Sequence, residues 1–474
     1  MVGPSPVRLR LVAHHAWRTD CATRLPFRFG IHTMTEAPLA LLQVEVETTN
    51  GERARGWAGE LMVPRWFDKN PAKSIEEERA ALLFALRDAL QVAEEGGPRT
   101  VFEHGQDMWT ACGVPAGRAG GLLAGFGTSL VERALLDALC RLLGRSFHDL
   151  LHGGVTGLDA AALHPSLAGR KPAELLPGAP LDSVAVRHTI GLVDALEEDD
   201  LEGRTRVDDG LPETLVEDIR HYGFTHFKVK LGGASAADRE RLLRVARLVA
   251  REVPEGARWT LDGNEQFQDL AALVGVLESL RGDPAGDAFL TGLLSIEQPL
   301  ARARTFESAP NVAMETLSAF APVIIDEADG DPRAFEDALA LGYRGVSYKN
   351  CKGVLRGVAA GMLCRSRGGL LQSAEDLTNL PLFPLQQDLC AVAALGLGHV
   401  ERNGHHYFRG LDHLPVADRE AALVAHPDLY ARRADGGAAL RIEDGRLALG
   451  SLQCPGFGVA VTPVVDDLTP LFPA

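Results

Sequence analysis

No stretch of this sequence approaches the roughly 18 consecutive apolar residues that a bilayer-spanning helix needs, so a membrane protein is not expected. A basic excess is also missing: 48 Lys and Arg stand against 64 Asp and Glu, for a formal charge of −16. Nucleic acids and anionic lipids need a basic face, so neither is an expected partner. The seven cysteines are scattered, odd in number and never arranged as CxxC. That excludes a disulfide framework or a zinc ribbon, and reduced thiols are the simplest reading. The first residues (MVGPSPVRLRLV) lack the apolar core of a signal peptide, so a cytoplasmic protein is expected.

What remains is an ordinary globular composition, 46% hydrophobic and 24% charged, over 474 residues. Such a length suits more than one domain. Residues 7–60 read as β structure, with VRLRLV, ALLQVEVET, a Thr49-Asn50-Gly51 turn and RARGWAGE. Residues 75–150 then turn helical, which gives an α+β domain over 1–165. The Pro- and Gly-rich segment 164–185 reads as a crossing. Strand and helix alternate over 186–402, where eight strand-like segments fit a closed parallel barrel. An acidic loop (196–210) precedes a helix expected from about residue 211. Residues 403–474 return to short β segments and are expected to pack back on the first domain.

Within the barrel region, charged residues close successive apolar runs: FKVK at Lys228 and Lys230, LDGN at Asp262, SIEQP at Glu297, IIDE at Asp326 and VSYK at Lys349. The intervals after Lys230 are 32, 35, 29 and 23 residues, about one strand plus one helix each. Charges at successive strand ends converge on one barrel mouth. Three buried-strand carboxylates are costly unless paired or bound to metal, and their oxygens suit a hard ion such as Mg²⁺. Lys228 and Lys230 share a strand face, and adjacent ammonium groups depress each other's pKa, so one can act as a base. Strands two and six lie on opposite sides of the mouth, so Lys349 can face Lys230 across it. Glu375, ending LLQSAE, is a candidate proton donor or lysine partner. Lys352 reads as a loop residue, and Glu327 as a lysine tether or a surface ion pair. Each motif taken singly also reads as a turn, a cap or a solvated edge.

The ordered set resembles the enolase superfamily, in its mandelate racemase/muconate lactonizing branch. VEVETTNGERARGWAGE and GTSLVERALLDALCRLLGRSFHDLLHGG are similar to its capping domain, and the lysine pair, DGN, EQP, IIDE, SYKNCKG, LQSAED and CPGFGV follow in order. The resemblance implies a modified (β/α)7β TIM barrel with an α+β capping domain. It implies Mg²⁺, with Mn²⁺ as its substitute, held by Asp262, Glu297 and Asp326, and Lys230 as a base assisted by Lys228. Lys349 falls where the two-lysine lactonizing members keep their second lysine. Such enzymes take the proton alpha to a carboxylate and stabilise the enediolate on the metal. Racemisation or epimerisation, cycloisomerisation or β-elimination then follows on a small carboxylic acid.

Ser373 and Glu375 stand where racemase-like and acid-sugar dehydratase members keep a His, and Glu401-Arg402-Asn403 replaces the Asp-x-Asp pair of dipeptide epimerases. A dehydratase of the same superfamily, a Schiff-base aldolase barrel and a non-catalytic barrel retaining its metal site are the alternatives. Substrate choice is expected from residues 26–37 and 60–70, with His32, Arg65 and Trp66 as contacts, and a homo-oligomer is expected.

Overall fold

The computed structural model describes residues 5–29 and 32–472. The chain opens with three antiparallel strands, β1 (Leu9–Phe29), β2 (His32–Thr48) and β3 (Arg53–Leu61). Gly51 takes φ +85° in the β2–β3 turn, a conformation that side chains rarely adopt. Helices α1 (Ile75–Glu95), α2 (Val101–Met108) and α3 (Val114–Leu143) follow. Ser74 starts α1 by accepting from Glu77 N, while the Glu77 carboxylate accepts from Ser74 N at 2.7 Å. α3 is buried almost continuously from Gly121 to Cys140 because the sheet, α1 and the barrel all cover it. At Gly56 the β3 backbone meets α3 so closely that a Cβ would lie 2.1 Å from Ala134 O.

Eight parallel strands follow: β4 (Ser183–Ile190), β5 (His226–Lys230), β6 (Arg258–Asp262), β7 (Leu293–Glu297), β8 (Val323–Ile325), β9 (Gly345–Tyr348), β10 (Leu371–Ala374) and β11 (His399–Arg402). Each pairs with the next, and β11 pairs with β4 to close the ring. Helical segments occupy all seven crossovers, so the unit is a (β/α)7β barrel with a separate antiparallel sheet capping it. Its strands are buried on both faces, as parallel strands under helices must be. No helix among the described residues is long and apolar enough to cross a membrane.

The first crossover helix runs over Leu215–Tyr222, four residues later than the sequence pattern indicated. Thr214 caps it by accepting from Glu217 N, and Pro212 precedes the cap, so residues 211–213 stay in the loop. The C-terminal segment divides its contacts. Arg446–Ala448 adds an antiparallel strand to β4 of the barrel, whereas Thr469–Pro470 pairs with β1 of the cap. Phe457 between them stacks on Phe147 at 4.4 Å, and its N–H donates to Asp137 Oδ1 at 2.8 Å.

Candidate active site

Apart from Lys228, two residues further in on β5, every charged residue singled out in the barrel region lies at or just past the C-terminal end of its strand, the end where such barrels carry their sites. Strand register sets the candidates side by side: Lys230 is opposite Asp262, and Asp262 is opposite Glu297. Lys228 and Lys230 both turn inward, as residues two apart on a strand must. Lys230 Nζ donates to Asp262 Oδ2 at 2.6 Å. On the sixth strand's side, Lys349 Nζ donates to Asp326 Oδ2 at 2.6 Å.

Lys228 differs from expectation. Its neighbour Lys230 does not dominate it; four carboxylates do, with Nζ 3.0 Å from Asp262, 2.5 Å from Glu297, 2.7 Å from Glu375 and 2.9 Å from Glu401. Burial alone would lower its pKa, but these carboxylates outweigh it and hold the ammonium well above the usual lysine range. Lys349 is also raised: burial opposes its charge, and Asp326 and Glu297 overcome it. Glu297 is raised too, well above the usual carboxylate range, by burial and by Asp262 and Glu375, which in a carboxyl disfavours the charge.

Glu375 is a lysine partner, accepting from Lys228 at 2.7 Å and from Ser373 Oγ at 2.5 Å, with the Arg187 guanidinium against its other side. Lys352 is drawn into the site rather than left in the loop: the single turn Asn350–Lys352 brings its Nζ to 2.7 Å from Ser347 Oγ and 3.3 Å from Asp326 Oδ1. Glu327 is buried, not a surface ion pair. It lies in the turn after β8, 3.8 Å from Lys69 of the cap, and burial together with Asp326 pushes its carboxyl up to about 7.

Two partners were not anticipated. Glu401 on β11 accepts from Lys228, from Thr189 Oγ1 at 2.7 Å and from Asp376 N at 3.0 Å. Arg187 on β4 donates to Ala374 O at 2.9 Å and contacts Glu375. Glu401 carries the same signal as the others, a charge closing the apolar-led run HVER; Arg187 sits mid-strand and gives none.

From the cap, Trp66 places its ring 4.8 Å from Lys349 Nζ. Arg65 serves its own loop, donating to Asn70 O and Lys73 O at 2.7 and 2.6 Å. His32 lies at the β1–β2 tip against Phe29; within the 26–37 stretch, residues 30 and 31 lie outside the described residues. The acidic loop 196–210 is tied down by Arg244–Asp200 at 2.7 Å and by Arg24 of β1 to Asp209 at 2.7 Å.

The donor set of Asp262, Glu297 and Asp326 is all oxygen, which fits a hard divalent ion. Neither Glu297 oxygen receives an aligned hydrogen bond despite complete burial, and the Lys228 ammonium 2.5 Å from Oε2 is the charge that answers it. Among the described residues, though, the three do not bring one oxygen each within 4.8 Å of one another. Lys228 holds Asp262 and Glu297, while Lys349 and Lys352 hold Asp326.

A capped (β/α)7β barrel is also the fold of solved muconate lactonizing enzymes and of a mandelate racemase/muconate lactonizing protein. Among solved structures, the chain is similar to a muconate lactonizing enzyme of Pseudomonas fluorescens complexed with muconolactone, at 16% identity and TM-score 0.60 over 96% of this chain and 97% of that one. It is similar to an enolase from Bradyrhizobium complexed with magnesium and mandelic acid, at 16% identity and TM-score 0.59 over 96% of each chain. A dipeptide epimerase of Enterococcus faecalis complexed with Mg and a dipeptide matches at 14% identity and TM-score 0.59, over 95% of this chain and 99% of that one. No family model and no curated protein matches the sequence.

Proposed function

We propose that the chain is an enzyme of the mandelate racemase/muconate lactonizing branch that takes a small carboxylic acid and removes the proton alpha to its carboxylate. One observation carries this reading: Lys230 and Lys349, from opposed strands of the ring, each donate at 2.6 Å to a different member of a buried carboxylate trio. A substrate between them meets an amine on each face.

In this reading Asp262, Glu297 and Asp326 hold Mg²⁺, which when bound supplies positive charge where the substrate carboxylate becomes dianion-like. Lys230, as the neutral amine, accepts the alpha proton. Lys349, as the ammonium, returns a proton to the opposite face in racemisation or epimerisation, or steadies the anion during cycloisomerisation or elimination. Lys228 is a fixed positive charge rather than a base, because its four carboxylate partners keep it protonated. Trp66 and the 60–70 loop roof the mouth and exclude water from the reacting carbon.

The test is solvent-deuterium exchange at the alpha carbon across a library of carboxylic acids, with Mg²⁺ present. We expect exchange in the natural protein and a loss of at least about 10²-fold in Lys230→Ala, with none in excess chelator. Undiminished exchange in Lys230→Ala refutes the assignment. Lys349→Ala separates the outcomes: retained exchange with lost stereochemical inversion identifies the returning acid.

A further inference from the structure

A second cluster lies outside the mouth. Among the described residues, one trio of His, Cys, Asp or Glu side chains brings its ligand atoms within 4.8 Å of one another: His188, Asp218 and His405. They come from three elements. Arg187 and Thr189 of β4 point into the barrel toward Glu375 and Glu401, so strand alternation turns His188 outward. Asp218 stands on the helix Leu215–Tyr222, and His405 in the short helix Gly404–Tyr407 after β11.

One ligand atom from each residue lies within 4.8 Å of the other two. The His188 nitrogen that faces His405, Nδ1, is 3.0 Å from His405 Nε2. Tetrahedral ligands with zinc bonds of 2.0–2.1 Å lie roughly 3.3 Å apart. Exposure is 2% for His188, 0% for Asp218 and 7% for His405. Neither Asp218 oxygen has an aligned hydrogen-bond donor, and His405 Nδ1 has no partner. His406 Nδ1 approaches Asp218 Oδ2 to 2.8 Å and holds the carboxylate in place. Beyond that one imidazole, no aligned donor offsets the desolvation of so deep a carboxylate.

We propose that His188, Asp218 and His405 form a structural site for a Zn²⁺-class transition-metal ion. Two imidazoles with one carboxylate favour such an ion over Mg²⁺. The site joins the seam where the barrel closes, since His188 pairs in register with Arg402 of β11. It also reaches the cap, because Arg24 of β1 donates to His406 O at 2.8 Å. Bound metal therefore clamps the first crossover, the closing strand and β1 together, and its binding energy adds to folding.

The test uses the full-length protein with Mg²⁺ in excess, stripped with chelator and then titrated with Zn²⁺ and with Co²⁺. We expect one tightly held ion per chain that Mg²⁺ does not displace, a tetrahedral cobalt spectrum, and a higher melting temperature on Zn²⁺ loading. Stoichiometry falls to zero in His405→Ala and in Asp218→Asn but stays at one in Glu297→Gln, which separates this site from the barrel mouth. If His405→Ala does not fold, the cobalt spectrum of the unaltered protein decides. Folded protein that binds neither Zn²⁺ nor Co²⁺ overturns the proposal and leaves a hydrogen-bonded histidine pair; so does equal binding by a folded His405→Ala.

Discussion

Four carboxylates surround the Lys228 ammonium within 3.0 Å, and burial has removed the water that would screen them. Breaking such a buried set from the cationic side leaves uncompensated negative charge, at a cost of about 3–5 kcal/mol. Lys228→Met should therefore lower the unfolding free energy measured in urea by that amount. Removing one acid as well, in Lys228→Met/Glu401→Met, should recover part of the loss, because the two residues touch and cannot behave additively. Strictly additive losses would show that Glu401 does not share the Lys228 charge.

Where elements meet, the site rests on close backbone approach. A Cβ on Gly121 of α3 would lie 1.7 Å from Gly330 O, just beyond the Asp326–Asp329 turn. Gly121→Ala must push α3 and that turn apart, at about 1–3 kcal/mol of overpacking, and it displaces Asp326 from Lys349. We expect alpha-proton exchange to fall more than the melting temperature does; a variant that melts lower with full activity would dissociate the helix from the site. This contact was not legible in the sequence, because it joins residues 121 and 330. The barrel was legible, since parallel strands under helices give short apolar runs at near-constant spacing, and a charge ending such a run points at the mouth. Lys352 escaped because one turn, Asn350–Lys352, reverses its direction. Arg187 escaped because only the closed ring makes the middle of β4 an interior position. The four acids around Lys228 were not legible because its nearest charge in sequence is Lys230, whereas its nearest charges in space come from four other strands.

Across the whole molecule, buried neutral histidines link the C-terminal segment to pH. His426 accepts from Ala460 N at Nε2, 3.2 Å, and its Nδ1 lies 3.1 Å from Ser451 Oγ, so only the neutral ring satisfies both. Burial lowers its pKa from 6.5 to about 4, against the pull of Asp428. His413, with Nε2 2.5 Å from Pro381 O, is likewise lowered to about 4 by burial. A folded-state pKa below the unfolded value favours the native state above that unfolded value, so the contribution is full above about pH 6.5. It is lost as pH falls through about 4, where the folded protein too takes up the proton. At about 1.4 kcal/mol per pKa unit, each ring supplies on the order of 3–4 kcal/mol that acid removes. His426→Gln should be less stable at pH 7.5 yet lose less between pH 6.5 and 4 than the natural protein. Urea unfolding across that range measures the slope. An unchanged slope would move the acid sensitivity elsewhere and leave Ser451 and Ala460 held by contacts indifferent to protonation.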